Sequence, residues 1–594
     1  MKYFFKYISL LLCVFVVERV AGQPFHPDCT NRISNWEKIA PYFVPPVEFK
    51  DQFGEYRSPL KFCSGETVQH KKDWIERRKE IRNCWMEMMG EWPPLLENQE
   101  FEIIGKEKRE DFTQFKVRFY WTPNEQTEGY LLVPDKKGKK PAVITVYYEP
   151  ETAIGIGSKP YRDFAYQLTK RGFVTLSLGT AETTGNKTYS IYYPSREDAG
   201  IQPVSALAYA AANALEALSK VTDVDRDRIG IVGHSYGGKW AMFASCLYDK
   251  FAAAVWIDPG IVFDETKGSA VNYWEPWYLG YYAPPWGNIW NKNGMNAKGL
   301  YPILRSKGRD LHELHALMAP RPFLVSGGSS DPVERWIALN HTVAVNKLLG
   351  YTDRVAMSNR AQHSPDVQSN ETVYSFLEWS LAEKGQWQPL FKTAQDTVNW
   401  TSMREETPFP NKGWIVKKKE LILLPAQKGG DMVSKRKYSD FELKLEFKMT
   451  KLVNSGVKYF VHQMFNNENK RTEWIGFEYQ IIDDFHRDEI GGFNDDKGST
   501  AALYLLYAPD KNKKLKPLGT WNSLRIKVQG NKVEHWLNGE MVVSADIDSD
   551  EFKDRVQATK FKNYDDFGKK RDGHILLQDH GSQIHYRNIM IKEL

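Results

Sequence analysis

The segment GIVGHSYGGKWAMFAS, residues 230–245, places a single serine among glycines where an apolar, strand-like pattern gives way to a helical one. Gly233 and Gly237 leave room for the backbones of a strand and a helix to approach each other closely. Ser235 would then lie in the tight turn with its Oγ exposed, and the backbone N–H of Tyr236 would face a developing oxyanion. The segment therefore predicts a nucleophile elbow at the edge of a parallel sheet.

Segments on both sides of the elbow alternate between apolar strands and helices. PAVITVYYEP (141–150) and FVTLSLGT (173–180) are continuous apolar runs typical of strands covered on both faces. PVSALAYAAANALEALSKV (203–221) lies between such strands and has helical periodicity. This alternation predicts an α/β doubly wound hydrolase domain over residues 101–385, after an N-terminal extension over residues 23–100.

The pattern changes near residue 386, after which short alternating segments dominate. FELKLEFKM (441–449) and NSLRIKVQG (522–530) are examples, and turn residues separate such segments at regular intervals. This spacing predicts an all-β jelly-roll or concanavalin-like sandwich over residues 399–594, joined by a linker over residues 386–398.

The N-terminus has the features of a secretory signal peptide over residues 1–22. Lys2 and Lys6 precede an apolar stretch, and small residues lead to a cleavage site before Gln23. No later stretch is apolar for long enough to span a membrane, so we expect a secreted or periplasmic mature chain. The 80 basic and 75 acidic side chains are interspersed without a basic block, and we expect no nucleic-acid partner.

A serine nucleophile requires a base and an orienting carboxylate, which follow it in this fold in the order serine, acid, histidine. His363 ends one predicted strand and is the expected base. Asp331 ends the strand before it and is the favoured acid, with Asp258, at the tip of the strand after the elbow, as the alternative. Besides Tyr236, the second oxyanion donor is expected near Tyr148, after the strand 141–147.

Aromatic side chains are concentrated in an insertion with the sequence WEPWYLGYYAPPW. We expect Trp274, Glu275 and Trp277 to form a lid or a wall on which a sugar stacks. Lys239 lies one helical turn after the serine and would present a positive charge to an anionic group such as a uronate.

Residues 101–385 resemble α/β-hydrolase carbohydrate esterases, most nearly the glucuronoyl-esterase-like and acetyl xylan esterase-like groups. The resemblance is carried by GHSYGGKWA and by DLHELHALMAPRPFLVSGGSSDP, which precedes and includes Asp331. It implies that Lys239 contacts the sugar and that Asp258 matches the place of the acid in many members. Tyr236 stands where glucuronoyl esterases have an arginine, which separates this sequence from their substrate pattern.

The C-terminal domain resembles 3-keto-disaccharide hydrolase or lyase domains with a lectin-like fold. NSGVKYF, GFEYQIID and GHILLQDHGSQIHYRNIMIKEL carry this resemblance. Glu478 and Gln480 share one face of a strand, and with Asp483 and His580 they are expected to line a polar groove. The resemblance implies that this groove binds a glycan or catalyses a second reaction.

The sequence therefore predicts an exported serine esterase with a Ser-His-Asp mechanism, acting on a methyl or acyl ester of a uronate-containing polysaccharide. Two alternatives are a 3-keto-glycoside hydrolase or lyase centred on the C-terminal domain, and a prolyl-oligopeptidase-like peptidase. Asp310, His312 and His315 have ligand-like spacing, but capping or a network beneath the site explains them, so neither metal nor cofactor is expected. One disulfide is expected among the N-terminal cysteines, which are Cys29, Cys63 and Cys84.

Overall fold

The structure is a computed structural model of the 594-residue chain. It describes residues 35–157, 159–180, 190–286, 296–382, 387–403, 412–425, 427, 429–491 and 496–594. The predicted signal peptide and Cys29 lie outside these residues. Within them, no helix has the length and apolar character that crossing a membrane requires.

Nine strands of the described chain form one sheet in the order β1-β2-β3-β5-β4-β6-β7-β8-β9. The strands from β5 and β4 to β9 run parallel, whereas β1, β2 and β3 form an antiparallel edge. Their bounds are β1 Glu102–Arg109, β2 Phe112–Thr122, β3 Glu125–Pro134, β4 Lys140–Tyr147, β5 Val174–Gly179, β6 Val224–His234, β7 Ala253–Ile257, β8 Phe323–Gly327 and β9 Val355–Asn359. The sheet confirms the doubly wound α/β hydrolase fold.

Helices cover both faces of this sheet, because its central strands are apolar on both sides. The helices are α1 Lys71–Met89, α2 Pro150–Ala153, α3 Phe164–Lys170, α4 Pro203–Leu218, α5 Tyr236–Leu247, α6 Leu300–Ser306, α7 His312–Ala316, α8 Trp336–Leu349 and α9 Val367–Ser380. Helix α4 is buried along its whole length between the sheet and its neighbours. Helices α3 and α9 pack on the opposite face, in a second apolar cluster around Phe164 and Phe376.

The N-terminal extension contributes to the core of the hydrolase domain. Trp74, Ile81 and Trp85 recur at helical spacing along α1 and are at most 2% exposed. They belong to the same apolar cluster as Trp240 of α5 and Trp256 of β7. The extension is thus packed on the domain as an added layer, which its helical periodicity alone does not reveal.

The C-terminal part is a two-sheet β-sandwich, as predicted. In the described residues one sheet has the order β12-β13-β22-β15-β18-β19-β20, with β10 also paired to β22, and the other has the order β11-β14-β21-β16-β17. The strands are β10 Gln388–Phe391, β11 Trp400–Ser402, β12 Trp414–Lys417, β13 Glu420–Leu423, β14 Met432–Tyr438, β15 Phe441–Met449, β16 Asn454–Phe465, β17 Thr472–Ile482, β18 Trp521–Gln529, β19 Lys532–Leu537, β20 Glu540–Asp546, β21 Gly573–Leu577 and β22 Ile584–Glu593. Two short helices, α10 Arg487–Ile490 and α11 Asp550–Gln557, lie outside the strands.

The predicted linker differs from the structure in one respect. Gln388–Phe391, within the segment expected to be a loop, forms β10 and pairs with the last strand, β22. Pairing between strands about 200 residues apart leaves no local signature beyond four residues of modest apolar character. The sandwich therefore begins earlier than its sequence texture suggests.

The two domains contact each other through polar groups around residues 350–354. The Thr352 backbone N–H and hydroxyl donate to Asp572 at 2.9 and 2.8 Å, and Lys437 donates to Asp353 at 3.1 Å. The predicted disulfide is absent from the described part of the chain, where Cys63 and Cys84 are free thiols. Cys63 instead accepts a hydrogen bond from Arg57, and its N–H donates to Glu80.

Candidate active site

The elbow at Ser235 has the strained backbone that its glycines predict. Ser235 has φ 57° and ψ −114°, in a region that L-residues rarely adopt. A Cβ at Gly233 would overlap the carbonyl of Gly237, and a Cβ at Gly237 would overlap the carbonyl of Val146 on β4. The two glycines thus permit β6, α5 and β4 to meet directly beneath the serine.

Ser235, His363 and Asp258 form a continuous hydrogen-bonded relay. The Ser235 Oγ lies 2.9 Å from His363 Nε2, and His363 Nδ1 lies 2.6 Å from Asp258 Oδ2. His363 follows β9 and Asp258 follows β7. The structure therefore brings His363 to Ser235 and Asp258, which precede it by 128 and 105 residues, at the carboxyl edge of the sheet.

Asp258 is fully buried and held by backbone donors. Its Oδ1 accepts N–H groups from Gly328 at 2.6 Å and Asp331 at 2.8 Å, and its Oδ2 accepts that of Ser330 at 3.2 Å. Burial alone would raise the pKa of Asp258, but the hydrogen bond and charge of His363, with these N–H groups, hold that pKa below its ordinary value. Asp258 is therefore held as a carboxylate in contact with the His363 ring.

The favoured assignment of Asp331 as the carboxylate that contacts His363 is wrong in this structure. Asp331 turns behind Asp258, where it accepts the N–H groups of Gly260 at 2.7 Å and Ile261 at 2.6 Å. Burial and then the charge of Asp258 raise the pKa of Asp331 to about 6. β8 is the strand next to β9, yet the loop after β9 crosses it, so that the His363 ring lies between Ser235 and Asp258, at the tips of β6 and β7.

Two residues that sequence reasoning missed hold the histidine loop. His234 Nε2 lies 3.0 Å from the His363 carbonyl oxygen, and Arg360 Nη2 donates to the same oxygen at 2.6 Å. Burial, followed by the charge of His363, keeps the pKa of His234 well below its ordinary value, so it stays neutral. The sequence signal for His234 is its position directly before Ser235, because it is the last residue of β6 and lies at the same sheet edge.

The expected oxyanion residues lie beside the serine. Tyr236 is the first residue of α5, where backbone N–H groups have no partner within the helix. Tyr148 follows β4, and its ring stacks on that of Tyr236 with centroids 4.7 Å apart. Register pairing of Val146 with Gly233 brings this segment next to the elbow.

Lys239 lies in the protein interior and not on an open wall. Its side chain is buried, and its Nζ donates to the carbonyl oxygens of Pro259 and Ala270. The rings of Tyr273 and Tyr278 lie 5.0 and 5.6 Å from the ammonium group. Burial lowers the pKa of Lys239 to about 8. Its hydrogen bonds to the two carbonyl oxygens hold the loop after β7.

The aromatic insertion is also more deeply buried than a lid would be. Trp274, Glu275 and Trp277 are 4%, 1% and 0% exposed and belong to the interior. Trp274 packs against the ring of Tyr301 and Trp277 against that of Tyr278. Apolar aromatic composition could not distinguish a sugar-stacking wall from a packed core, and the tertiary contacts favour the core.

The side chains of Asp310 and His312 also form hydrogen bonds with backbone groups. Asp310 Oδ1 accepts the N–H groups of Phe263 at 2.9 Å and Leu311 at 2.6 Å. His312 Nε2 lies 2.6 Å from the carbonyl oxygen of Arg57, in the extension. His315 is fully buried beside the ring of Trp256. These contacts tie the extension and the loop after β7 to α7.

In the sandwich, the predicted groove residues separate into two groups. Glu478 faces away from the core, where Gln578, with its amide oriented to match its neighbours, donates to Glu478 Oε1 at 3.2 Å. Gln578 accepts from Lys458 Nζ at 3.1 Å and from His580 Nε2 at 3.3 Å. Lys458, which pairs with Glu478 in the strand register, is a member that sequence reasoning missed.

Gln480 and Asp483 have different surroundings. Gln480 donates to Asn454 at 3.0 Å, on the neighbouring strand. Asp483 is fully buried and accepts the N–H groups of Leu452 and Phe485 at 2.9 and 3.0 Å. Asp483 thus fixes the two loops at the end of β17, and the expectation that it lines the groove is wrong because the strand has already ended.

Three family models match the chain. The Abhydrolase family matches residues 56–258, the Prolyl oligopeptidase family matches residues 206–370, and the 3-keto-alpha-glucoside-1,2-lyase-like domain matches residues 386–592. A 3-keto-disaccharide hydrolase from Bacteroides thetaiotaomicron is 30% identical over 184 residues, which are 28% of this chain. The matched part spans 62% of the length of that relative.

Several solved structures are similar to part of the chain. A glucuronoyl esterase from Solibacter usitatus is 20% identical, with a TM-score of 0.44, and the match covers 55% of this chain and 98% of that one. A glucuronoyl esterase from Teredinibacter turnerae is 19% identical, with a TM-score of 0.39, over 54% of this chain and 88% of that one. A glycosyl hydrolase described as putative, from Parabacteroides distasonis, is 29% identical, with a TM-score of 0.30, over 35% of this chain and 94% of that one.

The Prolyl oligopeptidase family match contains Ser235, Asp258 and His363, and the Abhydrolase family match contains the first two. The lyase-like match coincides with the β-sandwich. The chain therefore joins a domain with the α/β hydrolase fold, which holds the Ser235 relay, to a C-terminal domain similar to 3-keto-alpha-glucoside-1,2-lyase-like domains.

Proposed function

We propose that the protein is a carbohydrate esterase in which Ser235 is the nucleophile, His363 the general base and Asp258 the orienting acid. The relay of 2.9 and 2.6 Å from Ser235 through His363 to Asp258 carries this proposal. The distances lie within the range over which a positioned base accepts the serine proton. His234 and Arg360 support the role of His363 by fixing its backbone.

In the first half-reaction, Ser235 Oγ bonds to the ester carbonyl carbon while His363 Nε2 takes the serine proton. The negative charge on the carbonyl oxygen faces the N–H of Tyr236 and the segment at Tyr148. His363 then gives its proton to the leaving alcohol, and the acyl group remains on Ser235. Water, activated by His363, releases the acid and restores the enzyme.

We propose an ester on a uronate-containing polysaccharide as the substrate. Arg162 places a positive charge near the serine, which favours an anionic group on the substrate. It donates to His234 Nδ1 at 3.3 Å and to Ser364, next to His363, at 2.9 Å. Lys159 lies over the rings of Tyr147 and Tyr148 and is paired with Glu149 at 3.0 Å, so Arg162 is the cation that carries this argument. Fusion to a domain similar to a sugar-cleaving one is consistent with export to a polysaccharide substrate.

The C-terminal domain carries a second candidate function, elimination or hydrolysis of a 3-keto-glycoside. Its favouring observation is a buried carboxyl group, Glu478, beside Lys458, with 3.9 Å between Oε2 and Nζ. Burial raises the pKa of Glu478, which suits a base that takes a proton next to a keto group. Lys458 would stabilise the enolate, and elimination would then break the glycosidic bond and release the second sugar.

A direct test measures hydrolysis of 4-nitrophenyl acetate, a methyl-esterified uronate polymer and a proline-containing peptide nitroanilide. Ser235→Ala should lower ester hydrolysis by about 10³-fold or more. Ser219→Ala, at the end of α4 and hydrogen-bonded to Glu216, should leave it unchanged. Cleavage of the peptide alone would favour a peptidase. The second function would be established if the wild type and Ser235→Ala consume a 3-keto-glucoside and Glu478→Gln does not.

A further inference from the structure

A cavity of about 650 Å³ lies between the hydrolase domain and the sandwich, away from the serine. Helix α1, the segment before β8 and the end of α8 form one side, and the β18–β19 turn with residues near 548 and 571 forms the other. Its volume lies in the range of small-molecule sites, which are common at domain junctions. None of the residues of the Ser235 relay contributes to it.

Positive charge exceeds negative charge among the described side chains that line this cavity. Five are cationic and two are anionic, which leaves three positive charges in excess; they are Lys71, Arg78, Lys79, Arg321 and Arg571 against Asp249 and Asp548. Asp249 accepts from Arg78 at 3.1 Å and lies 3.4 Å from Arg321, while Asp548 accepts from Arg571. Each carboxylate is therefore shared, and neither can neutralise its cations fully.

Lys71 is the cation whose charge is compensated least. The distance from its Nζ to the nearest Asp548 oxygen is 3.9 Å, and that oxygen already accepts from Arg571. Burial, and then the charge of Arg571, lower the pKa of Lys71 to about 8. An anion in the cavity would attract both Lys71 and Arg571. It would raise the pKa of Lys71, which the charge of Arg571 lowers.

Trp74 adds an aromatic surface to the same cavity. Its side chain lines the cavity and is 2% exposed. The ring can therefore pack against the apolar part of a ligand.

We propose that this cavity binds a small organic or inorganic anion, of the size of a carboxylated or phosphorylated monosaccharide. Lys71 would donate to its oxygen atoms, and Arg571 would contribute charge. Ile75, Pro320 and Leu349 provide apolar surface for the remainder of an organic ligand. Such a ligand would bridge the two domains, and the proposal does not depend on the esterase activity.

Isothermal titration of the full mature chain with glucuronate, inorganic phosphate and glucose tests the proposal. We expect one or both anions to bind and glucose not to bind. Lys71→Ala should weaken the binding by about tenfold or more, because it removes a charge-assisted hydrogen bond. Lys72→Ala is the matched control, since Lys72 is exposed on the same helix and does not line the cavity.

Each outcome decides a point. Binding of glucuronate alone identifies a carboxylated ligand, whereas binding of phosphate alone identifies a phosphorylated one. Ser235→Ala should bind as the wild type does, which separates this site from the esterase centre. Failure of both anions to bind, equal binding of glucose, or equal affinity in Lys71→Ala and Lys72→Ala would overturn the proposal.

Discussion

The loops that follow β7 and β8 each present a buried aspartate, yet the two side chains have different partners. Asp258 contacts His363 and three backbone N–H groups of the loop after β8, whereas Asp331 binds two N–H groups of the loop after β7. Each carboxylate therefore holds the loop that carries the other. Contact with His363 therefore depends on the course of the loops, since the two aspartates have the same side chain and the same burial.

The largest expected effect is from Asp258→Asn. An amide at this position cannot stabilise the imidazolium and favours the wrong histidine tautomer, so kcat for 4-nitrophenyl acetate should fall about 10³- to 10⁴-fold. Steady-state hydrolysis by purified protein measures it. If Asp258→Asn stays within tenfold of the wild type while Asp331→Asn is inactive, the roles of the two acids are reversed.

Asp331→Asn should have a smaller effect, about 10- to 100-fold on kcat, because it disturbs the position of Asp258 without removing it. The KM for the same ester should change less than kcat. Asp227→Asn, an exposed aspartate near the start of β6, is a control and should be unaffected. A loss as large as that of Asp258→Asn would mean that Asp331 takes a direct part in proton transfer.

The stability of the wild type and that of Asp331→Asn should also depend differently on pH. The pKa of Asp331 is raised from 3.8 to about 6 on folding, so the folded state binds its proton more tightly than the unfolded state does. This aspartate therefore makes the wild type lose stability as the pH rises from about 4 to about 6. Melting temperatures of the wild type and Asp331→Asn should move in favour of the variant over that interval, and a constant difference would contradict the assignment.

His234→Phe should lower kcat/KM by about tenfold, since the hydrogen bond from the ring to the His363 carbonyl is lost while that of Arg360 remains. Hydrolysis of 4-nitrophenyl acetate measures it. A loss above 10³-fold would indicate that His234 contacts the reacting atoms.

The smallest expected effect on activity is that of Lys239→Met, with less than about a tenfold change in kcat/KM for a neutral aryl acetate. Lys239 holds the Pro259 carbonyl, so the variant should chiefly lower the melting temperature. Lys250→Met, an exposed lysine paired with Glu216, is the control. A loss more than tenfold greater on a methyl-esterified uronate than on the acetate would restore Lys239 as a sugar contact.

Much of the fold could be predicted because its signals are local. The glycines around Ser235, the alternation of apolar strands and helices, and the short strands after residue 399 all depend on neighbouring residues. The burial of Lys239 and Trp274 could not be predicted in this way, because a lysine or an aromatic side chain fits both a cleft and an interior. The contribution of α1 to the hydrolase core was likewise hidden, since helical spacing shows an apolar face but not its partner.

The elbow at Ser235 and the two kinds of domain could be predicted from the sequence, because an elbow and a strand–helix alternation need particular residues at fixed short spacings. The contact of His363 with Asp258 instead of Asp331, which are 105 and 32 residues away, depends on the folded chain. Folding also brings Lys71 and Arg571, 500 residues apart, to the edge of one cavity. Loop courses and domain contacts are set by packing between distant segments, which leaves no local pattern in the chain.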